Sequence, residues 1–276
     1  QNTAIGNASL LLNQTGTANT AVGDDALIIN VSGNYNVAVG SDSLYNNTAS
    51  NNTAVGYQAV YTNTTGIANV GLGAYALQLN TTGNYNTALG YNAGNAITTG
   101  LYNVAIGANA LDVSTTANSN IGIGVNALGS TTTGAENVAM GLNALLTNTT
   151  GASNVGIGTY ALNSNTTSSS NVAVGYQTLY SMSSTGDANK STAVGYQAGY
   201  NSTHNVDAFG AQALYSNTTG VLSVAMGREA LYSNTTGSYN TAIGYQAGFF
   251  ITTGTKNTVL GRYNGNQGGL DIRTSS

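Results

Sequence analysis

Asn240–Gly248 reads NTAIGYQAG, and the same words return as NTAVGYQAV from Asn52, NTALGYNAG from Asn86 and STAVGYQAG from Ser191. Self-similarity of this kind, if its period is fixed, decides the fold. The marker is the Gly that follows a small and then an apolar residue. It falls at Gly6, Gly23, Gly40, Gly56, Gly73, Gly90, Gly107, Gly124, Gly141, Gly158, Gly175, Gly195, Gly210, Gly227, Gly244 and Gly261. Twelve of the fifteen intervals have a length of seventeen. The other three, at sixteen, twenty and fifteen, together restore the period. A Gly-rich linker would not recover its phase after a slip.

The unit is N-T-A-V-G-Y-Q-A-L-Y-S-N-T-T-G-x-Y, with places numbered 1 to 17 and the marker Gly at place 5. Place 4 is apolar in every copy, and place 2 is Val, Ile or Thr except at Asp207. Both suit a strand. A coil this short cannot bury its own apolar face, but stacked coils can. The fold class expected is all-β: a parallel β-solenoid of about sixteen 17-residue coils over 1–264, irregular at about 181–210. A different segment begins at 265–276.

Each coil is expected to hold two β-like runs, near places 1–4 and 6–10, with N-T-T-G as the return loop. The marker Gly reads as a residue with positive φ, or one pressed by the next coil. Parallel pairing at about 4.8 Å per coil would make a rod of roughly 75 Å. Place 1 is Asn in thirteen copies, which stacking would align into an amide ladder.

Strand side chains alternate faces. Places 2 and 4 are therefore expected to fill the interior, and place 3, almost always Ala or Gly, to look outward. Small residues there imply close packing against something, most simply another copy of the chain. Ala105 and Ala173 would then lie at an interface.

Composition narrows the function classes. Charged residues are 5% of the chain, against about 25% in ordinary domains. The net charge is −4, and Lys190, Arg228, Lys256, Arg262 and Arg273 form no run. Nucleic-acid binding and a polybasic membrane patch have no electrostatic basis. No apolar run reaches the ~18 residues of a membrane-spanning helix, so no membrane insertion is expected. With no Cys, disulfides and thiolate metal sites are excluded. The opening at Gln1, within a repeat, reads as part of a longer or processed protein.

Chemistry has little to work with. The one histidine, His204, lies in the irregular stretch near Asp187 and Asp207. Catalysis or metal binding needs converging groups, and a loop histidine is the simpler reading. No catalytic residue, cofactor or metal is expected. The Gly-rich words GLG at Gly71–Gly73, and GIG at Gly122–Gly124 and Gly156–Gly158, lack the strand–turn–helix setting of a phosphate loop. The turns also lack the G-G-x-G-x-D pattern of calcium rolls.

Asn63, Asn80, Asn148, Asn165, Asn217 and Asn234 each begin N-T-T, the pattern of a glycan acceptor. Turn chemistry accounts for it more simply. The eighteen tyrosines fall mostly at places 6, 7, 10 and 17. They could stack on sugars, but stacking on one another is the reading favoured.

NVAIG at Asn103–Gly107 and NVAVG at Asn171–Gly175 resemble the SVAIG repeats of trimeric autotransporter adhesin heads, the YadA-like family. The resemblance spans about Asn2 to Gly261. It implies a left-handed β-roll and a homotrimer on a cell or virion surface. That family's repeat is shorter; the extra residues here lie in the Y-S-N-T-T-G loop. GNQGGLDIRTSS, Gly265–Ser276, is similar to a segment that follows such repeats in bacteriophage tail-fibre proteins. The function so implied is an extracellular fibre or adhesin shaft engaged in host attachment. A bacterial adhesin reading cell-surface glycans and an ice-binding solenoid with Thr-rich loops are the alternatives.

Overall fold

The computed structural model describes residues 1–183 and 190–262. Asp187, Arg273 and the 264/265 boundary lie outside them. The chain divides into two compact units, Gln1–Asn137 and Val138–Ser276. The first carries eight three-residue strands, from Thr3–Ile5 through Ile121–Ile123. Among its described residues the second carries eight strands, from Val138–Met140 through Thr258–Leu260, of which Val206–Phe209 and Ser223–Met226 have four residues. Within each unit every strand pairs in parallel with the next in chain order, place on place: Thr87 opposite Val104, Ala88 opposite Ala105, Leu89 opposite Ile106. The fold is an all-β parallel β-solenoid.

The ladder extends beyond the strands. In the coil marked by Gly90, the backbone N–H groups of Thr87, Gly94, Ala96 and Thr98 donate to Asn103, Ala110, Asp112 and Thr115 of the next coil at 2.8, 2.8, 3.1 and 3.0 Å. Those of Gly90, Asn92 and Tyr102 donate to Leu72, Ala74 and Asn84 of the previous coil at 2.8, 3.1 and 3.1 Å. The buried backbone of a coil is thus satisfied by its neighbours.

The second β-like run is not formed. Places 6–11 are turns, closed by bonds such as Ala76 N–H to Gly73 O at 3.2 Å and Asn80 N–H to Leu77 O at 3.1 Å. Positive φ recurs at places 7, 9 and 17, as at Asp25 (54°), Leu27 (53°) and Tyr35 (59°). Left-handed backbone costs a non-Gly residue roughly 1–2 kcal/mol, and no periodicity of side chains announces it. The coil-to-coil bonds hold these residues there. The marker Gly answers to both expectations. Gly107 has φ +125°, and a Cβ on it would lie 2.7 Å from the carbonyl carbon of Gly124 in the next coil.

The faces of the strands are the reverse of the expected ones. Place 3 points inward: Ala21, Ala38, Ala88 and Ala173 are 0% exposed. Places 2 and 4 point outward, with Leu72 40%, Leu89 42% and Met226 46% exposed. The alternation holds and its sign is inverted. Place 3 is small because the coil is thin, and not because a partner presses on it. A Cβ on Gly71 would lie 2.6 Å from Cγ2 of Val60, the place-9 residue of the preceding coil. Place 9 fills the interior from the opposite wall, so a methyl is all that fits across from it. Ala105→Arg would therefore disrupt the coil itself, whatever packs outside it.

The irregular intervals leave the strands undisturbed. Thr192 pairs with Val172 on one side and with Asp207 on the other, both at place 2, although the first connection is longer than the second. No register shift occurs there. The shorter coil loses its residues between Ser202 and Val206, in the return loop. Asp207 is half-buried and shares the outward face of place 2, as its charge requires.

In two coils a paired change keeps the interior filled. Where place 9 is Gly94 or Gly248, place 12 changes from Asn to a fully buried Ile97 or Ile251. A Cβ on Gly94 would meet Ile97 Cδ1 at 3.0 Å, and one on Gly248 would meet Ile251 Cδ1 at 2.9 Å. Gly94→Leu is expected to overpack and destabilise by about 1–3 kcal/mol. Adding Ile97→Asn is expected to recover most of that loss, because the two sites couple through one space. Denaturant titration of both single variants and the double variant checks it. Simple additivity would contradict the packing account.

Candidate functional surface

The residues singled out for function fall on three surfaces of the coil and in its interior. Inside are the asparagines. Place-1 residues such as Asn86, Asn103 and Asn120 are 0% exposed. The backbone N–H of Asn103 donates to Asn86 Oδ1 at 3.0 Å, and that of Asn120 to Asn103 Oδ1 at 3.0 Å. Side-chain bonds run in parallel, Asn103 Nδ2 to Asn86 Oδ1 at 3.1 Å. The amide ladder is present, with a leg that the sequence does not announce: Asn103 Nδ2 also crosses its own coil to Ala117 O at 2.8 Å. Each amide therefore ties neighbouring coils together and closes its own.

A second ladder, which the sequence reading missed, stands at place 12. Asn234 Nδ2 donates to Asn217 Oδ1 at 2.8 Å and to Gly237 O at 2.9 Å, and Asn165 Nδ2 to Asn148 Oδ1 at 2.9 Å. These belong to the N-T-T triplets. Asn63, Asn80, Asn148, Asn165, Asn217 and Asn234 are all 0% exposed. A glycan on any of them is incompatible with the folded coil, and loop chemistry is their role. A signal exists in the sequence: Asn is the commonest residue at place 12. The following Thr at place 13 bonds along the stack too, as Thr81 Oγ1 donates to Thr98 O at 3.1 Å and Thr98 Oγ1 to Thr115 O at 3.0 Å.

The second surface is aromatic. Place-10 rings stack, Tyr45 on Tyr61 at 5.0 Å in the first unit and Tyr200 on Tyr215 at 5.2 Å in the second. Place-17 rings do the same at Tyr85 and Tyr102, 5.2 Å apart with planes 4° from parallel. Rings on rings, as expected, leave fewer faces free for sugars. Burial raises the Tyr200 hydroxyl above the ordinary phenol range, and the neighbouring Tyr180 and Tyr215 add to it. Beside this column, place 7 carries a polar row: Gln197 Nε2 donates to Gln177 Oε1 at 2.8 Å. Gln246 Nε2 donates to Glu229 at 2.7 Å, and Arg228 lies 2.9 Å from the same carboxylate. The Gln246 bond, helped by Arg228, holds Glu229 below its usual value against the opposing effect of desolvation.

The third surface is the outward face of the strands. In the first unit it carries Val22, Val39, Val55, Leu72, Leu89, Ile106 and Ile123 at place 4. In the second it carries Met140, Ile157, Val174, Val194, Phe209, Met226 and Ile243. None is buried, and the place-2 Val and Thr side chains lie beside them. An apolar row of this regularity is a mark of an interaction surface.

Polar constellations are sparse. His204 is half-buried, with Nδ1 2.8 Å from the hydroxyl of Thr203. It is a loop histidine. A cleft of about 190 Å³ lies where the shortened return loop recedes, lined by Lys190, Asn205, Val206, Asp207 and Leu222. Among the described residues no cluster of three or more His, Cys, Asp or Glu could hold a metal ion. Among them, too, no helix is long and apolar enough to cross a membrane.

The place-1 ladder is testable by substitution. Asn103→Ala strips Asn120 N–H and Ala117 O of their partners inside the coil, at about 1–3 kcal/mol for each group left unmade. Asn103→Ser should cost clearly less, since Ser223 Oγ already accepts from Asn240 N–H at 3.1 Å at the same place. Equal losses for Ala and Ser in thermal melts would contradict the ladder's energetic role.

No protein-family model matches the chain, and no curated protein matches it.

Proposed function

We propose that this chain is the shaft of an extracellular fibre, built as a homotrimer of left-handed solenoids and engaged in host attachment, most simply as part of a bacteriophage tail fibre. The observation that carries the reading is the apolar outward face of the strands. Val and Ile recur at place 4 in both units, joined by Leu72 and Leu89 in the first and by Met140, Phe209, Met226 and Leu260 in the second, many of them with roughly a third to a half of their surface in water. Few charges interrupt them, and Asp207 is the exception at place 2. Packing that face against copies of itself about a closed rotation removes it from water without leaving a sticky edge.

The small place-3 residues serve the interior, so it is places 2 and 4 that ask for a partner. The resemblance of NVAIG and NVAVG to YadA-like repeats supports the trimer and its hand. The resemblance of Gly265–Ser276 to tail-fibre segments supports the virion over the cell surface.

One observation favours a second reading, a surface adhesin that binds glycans. Tyr35, Tyr102 and Tyr239 at place 17 are 65%, 57% and 55% exposed, enough to meet a sugar. The ice-binding alternative is weakened, since the place-13 Thr hydroxyls that would order water are spent on neighbouring carbonyls.

Sedimentation equilibrium is expected to give three times the 27.8 kDa chain mass. Ile106→Glu and Ile157→Glu should give a folded monomer, because a charge on an outward position spares the interior. A wild-type chain that is monomeric at micromolar concentration would overturn the trimer. A glycan array distinguishes shaft from adhesin: binding lost on Tyr35→Ala, Tyr102→Ala and Tyr239→Ala together would favour the adhesin.

A further inference from the structure

The place-10 side chains of the second unit form one continuous stack: Tyr180, Tyr200, Tyr215, Tyr232 and Phe249. Successive centroids lie 5.1, 5.2, 5.2 and 5.0 Å apart, with planes 7°, 13°, 7° and 2° from parallel. Every ring comes from a different coil, and the four tyrosines are half-buried. The exposed Tyr35 and Tyr239 differ: their place-17 neighbours are Ala18 and Asn51, and Leu222 and Lys256, which carry no rings. The chain has no cysteine, so no disulfide can link coil to coil.

We propose that the run Tyr180–Tyr200–Tyr215–Tyr232 is a covalent cross-linking site, where a one-electron oxidant, a haem peroxidase consuming hydrogen peroxide, joins the phenols of successive coils as dityrosine. The step balances without a further reactant. Two neighbouring phenols each give up the hydroxyl hydrogen, as an electron and a proton. The unpaired electrons spread onto the ring carbons ortho to oxygen. A carbon–carbon bond forms between one such Cε atom on each ring. The hydrogens on the two joined carbons then move to the oxygens and restore both phenols. The two hydrogens removed convert one hydrogen peroxide to two waters.

The stack supplies what this reaction needs from a protein. A radical on any of the four rings has a second phenol 5.1 or 5.2 Å away, held by backbone pairing and not by diffusion. Rotation of a half-exposed ring about Cβ–Cγ turns face-to-face neighbours edge to edge. Phe249 has no hydroxyl, so it caps the stack without extending the reaction. Each link closes a loop one coil long, and a cross-link of that span removes substantial freedom from the unfolded chain.

The experiment treats the full chain, dilute, with horseradish peroxidase and hydrogen peroxide. Dityrosine fluorescence is followed, and linked peptides are mapped by mass after digestion with a broad-specificity protease. The result expected is intrachain links Tyr180–Tyr200, Tyr200–Tyr215 and Tyr215–Tyr232, each lighter by two hydrogens, and a melting temperature raised by several degrees. Tyr215→Phe keeps the stack and should abolish both links while leaving Tyr180–Tyr200. Dityrosine found mainly between chains, or at the unstacked Tyr35 and Tyr239, overturns the proposal. So does an absence of links within the run, or a yield of those links indifferent to Tyr215→Phe.

Discussion

The constraint on which this structure rests is that each coil must satisfy its backbone on the coils beside it. A chain wound once per repeat has too few internal partners for its amides and carbonyls. It answers by turning some N–H groups to the next coil and others to the previous one, as Thr87 through Tyr102 do. Strict repetition follows from that geometry. A coil of different path would strand polar groups on two neighbours at once, and each buried group left unmade costs roughly 1–3 kcal/mol. Changes of coil length are therefore best absorbed in the return loop. The strands Val172–Val174, Thr192–Val194 and Val206–Phe209 stay in phase despite unequal spacing.

Nesting at this distance also sets the side-chain inventory. The marker Gly lies against the backbone of the next coil, where a Cβ has no room. The interior is one Leu and one methyl deep, and Gly94 and Gly248 at place 9 are answered by Ile97 and Ile251 at place 12. Polar residues in this interior are not misplaced. The asparagines at places 1 and 12 have amides of the right length to bond both to the neighbouring coil and to a backbone carbonyl of their own coil. With charges at 5% of the sequence, cohesion rests on amides, hydroxyls and small apolar groups. Surface charge pairs contribute little here, Arg228–Glu229 being a pair of chain neighbours with the arginine in solvent.

The same repetition gives columns on the outside: apolar at place 4 in each unit, and in the second unit aromatic at place 10 from Tyr180 to Phe249 beside the polar row at place 7. A column is a different kind of functional feature from a pocket. It offers one chemistry many times at the spacing of parallel strands, which suits a surface that packs against copies or is linked along its length. The shaft proposed here and the tyrosine site both draw on that property. They use different faces, so a failure of one leaves the other standing.

The seventeen-place period, the parallel stacking, a strand within places 1–4, the two alternative roles of the marker Gly and the place-1 Asn ladder were all legible in the sequence. Each depends on identity at a fixed place, and identity is what a sequence displays. The tertiary structure alone decided which way the strands face, because alternation distinguishes two sides without saying which is inside. A thin interior filled from place 9 made place 3 the inner side and left the bulky places 2 and 4 in water. Tertiary structure alone also decided that places 6–11 turn. Leu at place 9 adopts positive φ against its own preference, and only the hydrogen bonds of adjacent coils, which no single repeat contains, hold it there.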